Sequence, residues 1–83
     1  MRVAIVDDNA ADRDWLAGQV EALLARRGLE GTVFPFQDGE GFLASARRER
    51  FHLAFLDIYM DGRDGLSTAE ELRSFDPDCQ LVF

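Results

Sequence analysis

Eighty-three residues can build one small domain, spanning residues 1–83, and no more than one. A net charge of −7 excludes the clustered positive charge that a nucleic-acid surface needs. No apolar run approaches the roughly 18 residues of a membrane span, so no membrane contact is expected.

Before Val3 there is no basic, Ser-rich leader, so neither a signal nor a transit peptide is read. The single cysteine, Cys79, is expected as a buried, reduced thiol in a cytoplasmic protein. All nine basic residues are Arg, and Lys is absent.

In chain order, Val3 to Val6 is a short, continuously apolar run, the pattern of a strand covered on both faces. Asn9 is placed to cap a helix, with Asp12 in its first turn. Leu16, Val20, Leu23 and Leu24 recur at helical spacing to about Arg27, and Gly28 suits the residue just past the helix end. Trp15, beside this stripe, is expected to cover the helix flank. Thr32 to Phe36 reads as the next strand, and Pro35 places it at a sheet edge, because proline cannot donate to a ladder.

Gln37 to Gly41 reads as a turn, and Phe42, Leu43 and Ala46 open a shorter helix. That helix ends at the basic cluster Arg47, Arg48 and Arg50, which faces the helix's own dipole. His52 to Leu56 is a strand that runs into Asp57. His52 has no second His with which to share a metal and reads as a surface or partly buried residue. Ser67 to Arg73 is helical. Ser67 and Glu70 are spaced as a capping box, with Asp64 as the competing cap. Asp76-Pro77 stops this helix, and Gln80 to Phe83 begins a fourth strand. Phe34, Phe36, Phe42, Phe55 and Phe75 are expected in the core, and Gly62 and Gly65 are expected to supply backbone freedom after Asp57.

The order β-α-β-α-β-α-β implies parallel strands with right-handed crossovers, an α/β/α three-layer sandwich. Ligands of such open sheets bind beyond the carboxyl ends of the strands, where the strand order reverses. If the Pro35 strand lies outside the first strand, the first and third strands are neighbours, and Asp7, Asp8 and Asp57 converge. Three carboxylates at one rim repel one another and call for protonation or a cation. Hard oxygen donors that leave coordination positions open suit Mg²⁺, and a carboxylate beside it can act as a nucleophile toward phosphorus.

Val6-Asp7-Asp8 and Phe55-Leu56-Asp57-Ile58-Tyr59-Met60, with Gly65 following, resemble the receiver domain of two-component response regulators. Met60-Asp61-Gly62 with Asp64-Gly65-Leu66, and Asp78 to Phe83, are similar to the receivers that precede LytTR-type DNA-binding domains. The resemblance covers the whole chain and implies a flavodoxin-like fold. It implies that Asp57 is the phosphoacceptor, that Asp8 and Asp57 ligate Mg²⁺ directly, and that Asp7 acts mainly through water. It also implies the backbone carbonyl of Tyr59 as a further ligand and a sensor histidine kinase as phosphoryl donor. The family carries a Thr or Ser after its fourth strand and a Lys after its fifth. Neither is found here, so the chain reads as an incomplete receiver, impaired in phosphorylation and switching, whose DNA-binding output domain lies elsewhere. An uncovered fourth strand suggests a homodimer or a domain-swapped oligomer.

Other readings compete. The chain could be an interaction or dimerisation module that is never phosphorylated. Gly39-Glu40-Gly41-Phe42-Leu43-Ala44 fits a dinucleotide fingerprint. Against it, Asp38 and Glu40 would face a pyrophosphate, and Pro35 interrupts the strand that should be central. A phosphatase with an Asp nucleophile expects a second Asp two positions on, where Asn9 and Tyr59 stand instead.

Overall fold

The computed structural model describes residues 1–83. Four strands, β1 (Arg2–Val6), β2 (Thr32–Phe36), β3 (Leu53–Leu56) and β4 (Gln80–Val82), form one parallel sheet in the order β2-β1-β3-β4. Three helices connect them, α1 (Ala10–Arg26), α2 (Gly39–Arg48) and α3 (Gly65–Arg73). This is the three-layer, flavodoxin-like arrangement. β2 lies at the edge as Pro35 requires, and the strand order reverses between β1 and β3.

Alternation along the central strand β1 decides which helix lies on which face. Ala4 and Val6 point to one side, into a cluster with Phe42, Leu43, Leu56 and Leu72, beneath α2 and α3. Val3 and Ile5 point to the other side, against Val20 and Leu24 of α1. Both faces of β1 are thus covered, which is why its sequence is continuously apolar.

Several boundaries differ from the sequence reading. α2 starts at Gly39, because Asp38 accepts from the Gly41 N–H at 2.7 Å and caps the helix there. The stretch 37–41 is therefore a cap and first turn. α3 starts at Gly65, because Asp64 accepts from the Ser67 N–H at 2.7 Å. Ser67 is thus inside the helix, and the Ser67–Glu70 capping box does not form. β3 is assigned from Leu53, although His52 still exchanges backbone hydrogen bonds with Arg2 and Gln80. Along α1, Leu16, Val20 and Leu24 face the sheet at i, i+4 spacing, while Leu23 turns outward and is 45% exposed. Trp15 does not cover the flank, since it stands 66% exposed.

Among the aromatics, Phe42 is fully buried, whereas Phe34, Phe36 and Phe75 pack against the core from partly buried positions, and Phe55 does so on the α1 side. Phe51, just outside β3, is buried at the centre of an aromatic cluster, edge-to-face with Phe34 and Phe36 and tilted against Phe42. The Arg2 guanidinium lies 4.4 Å from the ring centres of both Phe34 and Phe51 and closes this cluster at the amino-terminal end of the sheet. Asp76, also buried, shapes the turn into β4 by accepting from the Asp78 and Cys79 N–H groups. Cys79 is a buried free thiol, and burial, then the nearby Asp76 charge, push its pKa up, so it is protonated at neutral pH.

Phe42 touches both the Phe cluster and the sheet. Phe42→Ala is expected to cost about 3–5 kcal/mol in urea unfolding, a large share of the stability of a domain this small. A shift well below 1 kcal/mol would show that the core does not depend on this ring.

Candidate functional site

Register decides the site. Val6 lies opposite Leu56, and the Asp57 N–H extends the ladder by donating to the Val6 carbonyl at 2.9 Å. Asp7, Asp8 and Asp57 therefore leave the sheet together at the carboxyl ends of β1 and β3. One carboxylate oxygen from each lies within 4.8 Å of the others.

Each carboxylate is oriented by a backbone N–H. Asn9 donates to Asp7 Oδ1 at 2.9 Å, Asp61 to Asp8 Oδ2 at 3.0 Å, and Tyr59 to Asp57 Oδ1 at 3.1 Å. The second oxygen of each accepts no hydrogen bond within the chain. Asp8 is exposed, while Asp7 and Asp57 are half-buried. Such a donor set, hard, anionic and open to water, fits a small divalent cation that keeps part of its hydration shell. The Tyr59 carbonyl accepts no hydrogen bond from the turns and loops around it, and the Tyr59 ring is 86% exposed.

Positive charge is scarce at the rim. Arg13 Nη1 donates to the Asp7 carbonyl at 2.9 Å, but no Arg forms an ion pair with Asp7, Asp8 or Asp57. On the α1 side a cleft of about 280 Å³ opens beside the carboxylates, walled by Leu16, Phe55, Val82 and Phe83.

The two glycines of the following loop have different roles. Gly62 has φ +78, the left-handed region, as the expected freedom requires. Gly65 does not. A Cβ there would collide with the Asp57 carbonyl, so what Gly65 supplies is room for α3 to start against the backbone of Asp57. The Asp61 amide and Arg63 were not singled out from the sequence. Residue 61 can reach Asp8 because it carries an N–H. Arg63 pairs with Glu40 and Glu71, residues distant in sequence that give no local pattern.

Gly39 to Ala44, the stretch that fits a dinucleotide fingerprint, forms the first turns of α2. Its N-terminus is already capped by the Asp38 carboxylate and follows the edge strand. The position a pyrophosphate would need is taken by a fixed negative charge.

Similarities to known proteins agree with this fold. The model of the response regulator receiver domain matches residues 3–83. The transcriptional activator protein PfeR of Pseudomonas aeruginosa is 39% identical over 72 residues, covering 87% of this chain and 22% of that protein. The response regulator TrrA of Thermotoga maritima, solved in complex with Mg(2+)-BeF, superposes with a TM-score of 0.83 at 26% identity, over 96% of this chain and 64% of that one. The receiver domain of AraT, a response regulator from Geobacillus stearothermophilus, gives 0.80 at 29% identity, over 96% and 60%. The chain thus spans about a fifth of the PfeR relative and under two thirds of these solved chains.

Converging like charges work against folding when no cation is present. Asp8→Asn keeps an acceptor for the Asp61 amide but removes one charge. It is expected to raise the melting temperature in chelator by a few degrees, given that about 1 kcal/mol moves a domain of this size by roughly 4–8 °C. A lower melting temperature would contradict the placement of the three carboxylates.

Proposed function

The chain belongs to the response regulator receiver domain family, and from that premise we propose that it is phosphorylated on Asp57 by a sensor histidine kinase. The observation that carries the proposal is the convergence of one carboxylate oxygen from each of Asp7, Asp8 and Asp57 at the carboxyl ends of two neighbouring strands.

In this reading Asp8 and Asp57 would hold Mg²⁺ directly, Asp7 would act mainly through water, and the Tyr59 carbonyl would be a further ligand. A bound Mg²⁺ would supply positive charge against the carboxylates and the phosphoryl oxygens. The similar TrrA protein was solved in complex with Mg(2+)-BeF, which supports Mg²⁺ as the cation proposed here. The Tyr59 N–H holds Asp57 Oδ1, which leaves Oδ2 to attack phosphorus. A bond forms from Oδ2 to phosphorus as the bond from phosphorus to the kinase imidazole nitrogen breaks, and the imidazole keeps the electron pair. The chain turns over no substrate of its own. It accepts a group and passes on a conformational signal.

PfeR, the 39% identical relative, is a transcriptional activator. The output proposed for this receiver is transcription, through a DNA-binding domain outside the 83 residues. The domain is proposed to work in the cytoplasm, and no helix is long and apolar enough to cross a membrane. Within these residues no Lys is present and no Arg pairs with Asp57, so the transferring phosphoryl group meets little protein positive charge. Phosphorylation of the 83 residues alone is therefore proposed to be slow and incomplete.

A second reading is self-association, as a homodimer or a domain-swapped oligomer. β4 pairs with β3 on one side only, and Val82 and Phe83 beside it are 43% and 56% exposed. Sedimentation should then give twice the monomer mass, lost in Val82→Pro. A folded monomer across micromolar concentrations would end this second reading.

The principal test is incubation with acetyl phosphate and Mg²⁺ followed by intact-mass measurement. One phosphate is expected, on a minority of molecules and dependent on Mg²⁺. Asp57→Asn should carry none, and modification that survives in Asp57→Asn would remove the phosphoacceptor assignment.

A further inference from the structure

The loop from Asp57 to Asp64 lacks packing of its own at its tip. Asp61 and Gly62 are exposed, and a Cβ at Gly62 would meet nothing within 4 Å. At its front the loop is tied to the site by the Asp61 N–H, 3.0 Å from Asp8 Oδ2. Behind, Arg63 reaches away from the carboxylates. Its Nε lies 2.6 Å from Glu40 Oε1 in the first turn of α2, and its Nη1 lies 2.9 Å from Glu71 Oε1 in α3. The other oxygen of Glu71 takes Arg47 Nη2 at 2.6 Å, and the Arg47 guanidinium lies 4.7 Å from the Phe75 ring centre. Charge thus alternates from the loop across both helices.

We propose that Arg63 is a positioning residue for the Asp57 site: by pairing with Glu40 and Glu71 it holds the loop so that the Asp61 amide stays against Asp8 and the Tyr59 carbonyl keeps its place as the proposed further ligand. This rests on reading Asp7, Asp8 and Asp57 as the metal and phosphoacceptor centre.

Three features separate this brace from an ordinary surface ion pair, which contributes little. Arg63 engages two carboxylates on two different helices, the network case in which ion pairs do fix geometry. Its stem lies close to the start of α2 as well, because a Cβ at Gly39 would collide with Thr68 Oγ1 and sit 3.3 Å from Arg63 Cδ. The absence of a side chain at residue 39 therefore lets both Thr68 and the Arg63 stem approach the α2 backbone. Finally, the left-handed Gly62 sits between the two ties, and without Arg63 it is a free hinge. The Gly39-Glu40 pair, which resembles half of a phosphate-binding motif, has a role here as seat and counter-charge for Arg63. The brace is intact at neutral pH. The hydrogen bond from Arg47, then the charge of Arg63, hold the Glu71 carboxyl below its ordinary pKa, so its charge is lost only as pH falls through that lowered value.

The test uses the whole chain at neutral pH, with Mg²⁺ alone as the probe, and reads Mg²⁺ affinity by titration and amide exchange by NMR. Arg63→Gln is expected to weaken Mg²⁺ binding roughly tenfold, at the low end for loss of a supporting contact. It should also speed exchange of the Asp61 amide while those of β1 and β3 keep their protection. Arg63→Lys should restore part of the affinity, because an ammonium cannot reproduce the fork. Adding Glu40→Gln to Arg63→Gln should weaken binding no further, since both act through one brace. If Arg63→Gln does not fold, Glu40→Gln alone, which leaves the pair with Glu71, should give a smaller weakening and the same local exchange. Unchanged affinity and unchanged Asp61 exchange in a folded variant would overturn the proposal. No Mg²⁺ response in the unmutated chain would remove the reading of the site and the positioning role with it, even if faster exchange showed that the brace exists.

Discussion

Parallel pairing of β1 with β3 is the constraint on which the rest depends. Because Val6 faces Leu56, the residues that follow each of them leave the sheet side by side. Strand periodicity is two, so a slip of one residue would turn every apolar side chain of β1 to the wrong layer. Burial of Ala4 and Val6 on one face, and of Val3 and Ile5 on the other, therefore fixes the register and so the separation of the carboxylates. The apolar core thus sets the geometry of the polar site that adjoins it. What opposes it is repulsion among three anions, offset by the amides of Asn9, Tyr59 and Asp61, each of which donates to one of them.

The two faces of the sheet are not equivalent. The α2/α3 side buries a cluster of 11 residues, whereas the α1 side buries 4. The tighter side is also the side braced by Arg63, Glu71 and Arg47, and it supports the loop after Asp57 from behind. The looser side holds the cleft that opens beside Asp7 and Asp57. The arrangement thus joins a well-packed support to an accessible face, which suits the proposed group-accepting site.

Much of this was legible in the sequence because it is local. Pro35 names the edge strand, Asn9 and Gly28 bound α1, and continuous apolarity before Asp7 and Asp57 identifies strands covered on both faces. Each of those signals acts within a few residues. What was not legible depends on distant partners or on competition between equivalent groups. Asp64 and Ser67 can both cap α3, and sequence alone does not rank them. Asp38 caps α2 through a stretch whose two glycines imitate a turn. Trp15 is bulky and apolar, yet it stands 66% exposed, because Leu16, Val20 and Leu24 are the residues of α1 that pack on the sheet. Phe51 lies just outside a strand and gains its burial from Phe34, Phe36 and Phe42. Gly65 was assigned freedom when its function is space, a distinction that requires knowing how closely α3 approaches Asp57.

Asp7, Asp8 and Asp57 are proposed to hold one divalent cation at the end of β1 and β3. Mn²⁺, a paramagnetic substitute for Mg²⁺, tests it through line broadening of backbone amide resonances, which falls off steeply with distance from the ion. Broadening at low occupancy is expected to centre on residues 7, 8, 57 and 59–61, to be reversed by competing Mg²⁺, and to spare the exposed acids at the far end of α1, Glu21 and Glu30. Broadening centred on those distant acids, or spread evenly over the surface of this acidic chain, would contradict the account.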